Sequence, residues 1–296
     1  MTRPDVLPHP LPFSKMSGTG NDFILFDNRE ETVPRHMLSQ LARTICRRGF
    51  SIGADGLIAI GPSVSCDFSW DFYNSDGSAA EMCGNGARCA ARFAFEKKIA
   101  PRKMVFETIA GPVHAQLLEN GIDVAVTLTR PTDLVMDRTV AMEDNSSFVV
   151  HSVNTGVPHA VVFVDSTGET PVREWGRLFR FHQTFQPAGT NVNFVQIAGN
   201  NQLLVRTYER GVEDETLACG TGAVAAAVCA MAAGRCRSPV SVTTSGGDTL
   251  TVTCRFADGP LPEAVLLQGP AHLIYEGLLN TLEIDFAEKT QLSSRF

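Results

Sequence analysis

Apolar residues fall in short runs along most of the chain, and the runs differ in period. Phe23–Phe26, Leu57–Ile60, Met104–Glu107, Ile122–Leu128, Val161–Val164, Leu203–Tyr208, Val240–Thr244, Thr249–Phe256 and Ala264–Gln268 read as strands, as does the alternating Asp67–Tyr73. Helical spacing is rarer. Met37, Leu38, Leu41 and Ile45 make an apolar face behind Pro34, which predicts an amphipathic helix with proline in its first turn. Residues 84–98, 171–181 and 220–234 read as three more helices. Strands outnumber helices without strict alternation, so the expected class is α+β rather than a doubly wound parallel sheet.

The chain is uncharged from Leu217 to Gly234, long enough on count alone for a membrane span. Ala and Gly dominate that stretch and Leu is nearly absent, so it reads as a buried helix of small residues, and no membrane partner is expected.

Sliding the chain against itself by 136 residues (219 − 83) brings four features into coincidence. Gly20 before FILF falls on Gly156 before AVVF, Phe72 on Tyr208, Asn74 on Arg210, and Cys83 in MCGNGA on Cys219 in ACGTGA. Agreement at one offset predicts a duplicated lobe. The boundary is placed near Pro131–Glu143, where apolar periodicity lapses. Residues 1–130 would then form an N-terminal lobe carrying Cys83, and 131–272 a C-terminal lobe carrying Cys219. Residues 273–296 are expected to pack back onto the first lobe.

Composition narrows the chemistry. A net charge of −7 with scattered signs disfavours a nucleic-acid partner, which needs clustered Lys and Arg. The start MTRPDVLPHPLPF has no apolar core of a secretory signal, so the eight cysteines are expected to be reduced thiols in a cytoplasmic protein. No C-x-x-C pair occurs and the His spacings are unrelated, so no metal is expected. Gly18-Thr19-Gly20 lacks the later glycine of a dinucleotide loop, and no phosphate loop is present, so no cofactor is expected. Cys46, Cys66, Cys89, Cys229, Cys236 and Cys254 read as small core residues.

Cys83 and Cys219 differ from these. In each repeat a strand ends, a polar turn follows, and Cys-Gly-x-Gly opens an Ala-rich helix. Each sulfur is thereby placed at a helix N-terminus, where free N–H groups and the helix dipole favour a thiolate. The glycines leave those N–H groups open to an anion. Two such ends facing across an interlobe cleft make a carboxylate site with a thiol on either side. A proton can then leave one face of a carbon and another return to the opposite face. The α-proton of an amino acid is a very weak acid, so the base must be desolvated and the charge developing on the carboxylate met by fixed donors.

The segments FSKMSGTGNDFILFD, FYNSDGSAAEMCGNGARCAARF, NTGVPHAVVFVD, GTNVNFVQ, YERGVEDETLACGTGAVAAA and LQGPAHLIYEG resemble, in that order, the diaminopimelate epimerases over roughly residues 13–278. The resemblance implies two pseudo-symmetric lobes with the site between them, no pyridoxal phosphate, and a homodimer. It implies a small-molecule substrate, diaminopimelate, whose LL and meso forms are interconverted for lysine and peptidoglycan precursor synthesis. It assigns Cys83 and Cys219 as the two bases, and Gly84, Asn85, Gly220 and Thr221 to the reacting carboxylate. Asn21, Asn74, Asn191 and Arg210 would bind the distal amino-acid end. His159 and Glu209 would adjust the cysteine pKa values, Glu209 also touching the reacting amine.

Three positions depart from the family pattern. Ser17 stands where a His is common, Val157 replaces a frequent Asn before Pro-His, and Gly56 replaces a Gln found in some members. Two other readings stay open: a racemase of another amino acid, such as histidine, and a redox or binding protein in which Cys83 and Cys219 pair as a disulfide.

Overall fold

The computed structural model describes residues 7–142 and 146–281. β1 (Leu11–Gly18) and β2 (Asn21–Asp27) form a hairpin whose two turn residues, Thr19 (φ 52°) and Gly20 (φ 91°), are both left-handed. α1 (Arg35–Ile45), β3 (Gly56–Gly61), β4 (Phe68–Asn74), α2 (Gly84–Glu96), β5 (Lys103–Thr108), β6 (Gly111–Leu117) and β7 (Asp123–Leu128) follow. Next come β8 (Thr132–Ala141), β9 (Ser147–Asn154), β10 (Pro158–Phe163), α3 (Val172–Phe181), a single 3-10 turn at Gln183–Phe185, β11 (Asn191–Gly199), β12 (Gln202–Glu209) and β13 (Asp214–Thr216). α4 (Gly220–Ala232), β14 (Val240–Thr244), β15 (Thr249–Arg255), β16 (Ala264–Pro270) and β17 (His272–Leu279) complete the described chain.

The strand pairings repeat. β1–β2 is antiparallel, β2–β3 parallel, β3–β4 antiparallel, β4–β5 parallel, and β5–β6 and β6–β7 antiparallel. The same order of directions runs through β9–β10, β10–β11, β11–β12, β12–β14, β14–β15 and β15–β16. The fold is therefore α+β with two pseudo-symmetric lobes, joined where β7 and β16 pair antiparallel from Leu128↔Val265 to Asp123↔Pro270. After β7 the chain crosses to pair β8 with β9, and after β16 it crosses back to pair β17 with β1. Residues 282–296, part of the segment expected to return to the first lobe, lie outside the described residues.

Each lobe has an inner and an outer helix. The inner helices are rich in alanine, which lets the surrounding strands approach: α2 buries Ala87, Ala90, Ala91 and Ala94, and α4 buries Ala223, Ala225, Ala226, Ala227 and Ala230. α4 is apolar on every side, as an enclosed helix must be. The outer helices are amphipathic, α1 burying Leu38, Leu41, Ala42 and Ile45, and α3 burying Val172, Gly176 and Phe179. Among the described residues, no helix is long and apolar enough to cross a membrane.

The structure corrects several expected boundaries. Pro34 stands at the N-cap of α1 rather than inside its first turn. The helices expected over 84–98 and 220–234 stop at Glu96 and Ala232, because Lys98 (φ 57°) and Gly234 (φ 69°) take left-handed backbone at equivalent repeat positions. The helix expected from 171 begins at Val172. The stretch near Pro131–Glu143 is mostly strand β8; its periodicity lapses because two register shifts interrupt the pairing with β9 and few of its side chains are buried. Glu143 itself lies outside the described residues.

Candidate active site

Cys83 and Cys219 are the N-cap residues of the two inner helices, both with extended backbone (φ −146° and −123°). The Gly86 N–H donates to Cys83 Sγ at 3.5 Å, and Cys219 Sγ lies 3.4 Å from Thr221 Oγ1. The two helix starts meet at one side chain on the β7–β16 seam. A Cβ on Gly84 would lie 3.3 Å from Leu267 Cδ2, and one on Gly220 would lie 3.2 Å from the same atom and 3.4 Å from Asn85 Oδ1. Gly222 is equally constrained, since a Cβ there would sit 2.3 Å from Asn193 Oδ1 and 3.3 Å from Cys219 Sγ.

Burial dominates the thiol chemistry. It pushes Cys219 up to about 12, and the Glu209 carboxylate adds to this, while the Thr221 hydroxyl and the Gly222 N–H oppose it. Burial also raises the Cys83 thiol, against the N–H groups of Gly86 and Asn85. The N–H groups at the helix starts favour the thiolates as expected, and the desolvation that the chemistry also requires outweighs them. A thiolate in such a place is a strong base, suited to a weakly acidic α-proton.

On the C-terminal lobe, a relay leads to Cys219. Thr207 Oγ1 donates to Asn193 Oδ1 at 3.0 Å, which turns Asn193 Nδ2 toward His159 Nδ1 (3.1 Å) and the Ala160 carbonyl (3.0 Å). With Nδ1 accepting, the proton sits on Nε2 and donates to Thr221 Oγ1 at 3.0 Å, leaving the Thr221 hydroxyl to donate to Cys219. His159 is buried, and burial followed by the nearby Arg210 charge pulls it down to about 3. It is a neutral donor at ordinary pH.

On the N-terminal lobe, the groups are amides. Asn85 Oδ1 accepts from Thr19 Oγ1 (3.1 Å) and Arg88 Nη2 (2.9 Å), so Asn85 Nδ2 faces Asn21 Oδ1. Asn21 Nδ2 donates to Asp55 Oδ2 at 3.2 Å, and Arg48 pairs with Asp55 at 2.8 Å and with Asp22. The Asn21 amide is held at both ends by partners that leave it one orientation.

The remaining expected residues are placed less uniformly. Arg210 N–H donates to Asn191 Oδ1 at 2.8 Å, and Asn191 lies opposite His159 in the β10–β11 register, so these three form one cluster. Glu209 accepts from Thr216 Oγ1 at 2.9 Å, and burial raises its carboxyl. Asn74 is exposed, donates to Ser78 Oγ at 3.0 Å within its own turn, and has none of the other site residues among its hydrogen-bond partners. Gly56 has a local cause: a Cβ would lie 2.6 Å from Phe72 Cε2 and 2.8 Å from the Tyr73 carbonyl, so this packing has no room for glutamine.

Sequence reasoning missed Thr19, Asp55, Arg88, Asn193 and Thr207. Asn193 carried a usable signal, a polar residue on the same strand face as Asn191 in an otherwise apolar run.

The model of the diaminopimelate epimerase family matches residues 13–133 and 151–273. Diaminopimelate epimerase from Aquifex aeolicus is 43% identical over 285 residues, covering 93% of this chain and 100% of the relative. The same enzyme from Hydrogenobaculum sp. is 44% identical over 278 residues, covering 90% and 98%. A solved hydroxyproline epimerase from Agrobacterium vitis, with bound trans-4-OH-L-proline, superposes with a TM-score of 0.70 at 17% identity, covering 91% of this chain and 92% of that one. A Bacillus anthracis phenazine biosynthesis protein of the PhzF family superposes with a TM-score of 0.68 at 13% identity, covering 92% and 99%. At such identities the likeness of the two solved structures is one of fold.

Proposed function

The chain belongs to the diaminopimelate epimerase family, and we propose that it interconverts LL- and meso-2,6-diaminopimelate without a cofactor, using Cys83 and Cys219 as its two bases. Two cysteine-capped helix starts meet at Leu267, and that juxtaposition carries the assignment. The reacting carboxylate lies on the N–H groups that open α2 and α4, at Gly84, Asn85, Gly220 and Thr221. One thiolate removes the α-proton, and the electron pair left on the carbon spreads into the carboxylate. The other thiol gives its proton to the opposite face. Thiol and thiolate have then exchanged places, and the proton count balances. Glu209, whose carboxyl burial raises, accepts from the reacting amine. Asn21, Asn74, Asn191 and Arg210 hold the distal end, and His159 tunes Cys219 through Thr221.

Residues 1–130 with 273–296 and residues 131–272 are the two lobes of this reading, supported by the β17–β1 and β8–β9 pairings. All eight cysteines are free thiols, which supports a reducing, cytoplasmic location. Incubation with LL-diaminopimelate in deuterium oxide tests the activity. We expect α-deuterium in the substrate pool together with meso product; neither appearing would reject the assignment.

Leu273, Ile274, Tyr275 and Leu278 are exposed along β17, an apolar strand that supports a homodimer. Light scattering should give twice the chain mass, and Leu278→Glu should shift the protein toward monomer. A wild-type monomer at micromolar concentration would remove the dimer from the reading.

A further inference from the structure

Among the described residues, Arg88 is the bulkiest side chain that solvent does not reach, and it lies in α2 just past the turn that Cys83 opens. Its four acceptors among the described residues are all uncharged: Thr19 Oγ1 at 2.8 Å, Asn85 Oδ1 at 2.9 Å, the Pro270 carbonyl at 3.3 Å and the Gly84 carbonyl at 3.4 Å. A guanidinium keeps its charge at any pH a protein tolerates. Here that charge adds to the positive end of the α2 dipole instead of opposing it. A buried cation whose hydrogen-bond partners are all neutral is costly. The start of α2 is therefore a place that calls for an anion, and the groups able to supply one are the Cys83 thiolate and a carboxylate laid on the open N–H groups.

The other lobe is built differently. The repeat position equivalent to Arg88 is Val224, also fully buried, and Thr221 replaces Asn85. The neighbour of Cys219 is the neutral His159–Thr221 pair.

We propose that Arg88 is a positioning residue that makes the two halves of the site unequal. It locks the Asn85 amide with its NH2 toward Asn21, and it supplies the positive charge that favours an anion at Cys83 over Cys219. The proposal rests on the two-thiol reading of the site. Other charges do not produce the same inequality. Glu209 raises both thiols, whereas the Arg88 charge lowers Cys83, and its repeat counterpart in the Cys219 lobe is the uncharged Val224. Around Arg88 itself the titratable groups are Cys83 and Cys89, with Asp123 and Asp248 as the acids that act on it.

The test needs no substrate. The full-length protein is pulsed with iodoacetamide at a series of pH values, and occupancy of each cysteine is read by peptide mass spectrometry. We expect Cys83 to be alkylated at lower pH than Cys219. Arg88→Met should raise the Cys83 midpoint by about one pH unit or more and leave Cys219 in place. Arg88→Lys keeps the charge but loses the planar fork, so it should restore most of the midpoint while turnover stays depressed. Cys219 reacting first in the wild type would overturn the proposal, as would an unchanged Cys83 midpoint in Arg88→Met. A midpoint in Arg88→Lys as high as in Arg88→Met would do the same. If Arg88→Met does not fold, the wild-type order and the Arg88→Lys midpoint still decide. Because the reagent is not the substrate, failure of diaminopimelate to turn over would leave this result standing, and active enzyme with equivalent thiols would sink this proposal alone.

Discussion

Cys83→Ala and Cys219→Ala are each expected to reduce formation of meso-diaminopimelate by at least about 10²–10⁴-fold, the usual contribution of a positioned acid or base. The two sulfurs come from different lobes and cap different helices, so neither can stand on both faces of one carbon. Removing either leaves the proton a way off or a way on, but not both. Burial strengthens the expectation: a thiol pushed up to about 12, as at Cys219, is a strong base once ionised and a poor group for water to replace. The surrounding atoms desolvate each sulfur, yet both residues keep some exposure, so losing one sulfur should leave the thermal melt close to wild type. Activity and folding can therefore be read separately. Near wild-type conversion of LL substrate by either folded variant would remove the two-base mechanism.

Much of this arrangement was legible before any coordinates. The Cys-Gly-x-Gly repeat predicted both helix starts, because glycine beside a capping residue is a local signal. The duplication was legible for the same reason, through residues such as Gly20 and Gly156 that hold left-handed backbone at equivalent positions (φ 91° and 105°). Long-range features left no comparable trace. Nothing near Leu267 in sequence says that it touches both Gly84 and Gly220, which lie 183 and 47 residues away (267 − 84 and 267 − 220). Strand β8 escaped because a strand with two register shifts and few buried side chains does not alternate cleanly. The balance of effects at the thiols was not legible because a helix N-terminus can be read locally, whereas burial depends on which strands close over the cysteine. Arg88 went unremarked because charge alone does not reveal that a side chain lacks solvent.

Arg210→Ala should lower kcat/KM for diaminopimelate by at least about 30-fold, at about 1.4 kcal/mol per tenfold. Arg210 follows Glu209 at the end of β12, and its guanidinium donates to the Ala188 carbonyl at 2.8 Å while its main-chain N–H holds Asn191 Oδ1. Neither acceptor is a carboxylate, so the charge remains available to a distal carboxylate of the substrate. Its main chain is tied to Asn191, which lies opposite His159 in the β10–β11 register, so Arg210 stands beside the cluster that leads to Cys219. Asn74, its repeat counterpart, is a neutral amide in its own turn, so the duplicated positions have diverged into one charged and one uncharged arm. Truncating one side of a charge pair that substrate binding desolvates costs about 2–5 kcal/mol, much of it from the partner left unpaired. The loss should therefore be confined to substrates with a second carboxylate, and wild-type enzyme should racemise alanine, histidine or lysine poorly. Equal efficiency toward those amino acids would place the specificity elsewhere and turn the assignment toward a general racemase, while leaving the pair of cysteines as its bases.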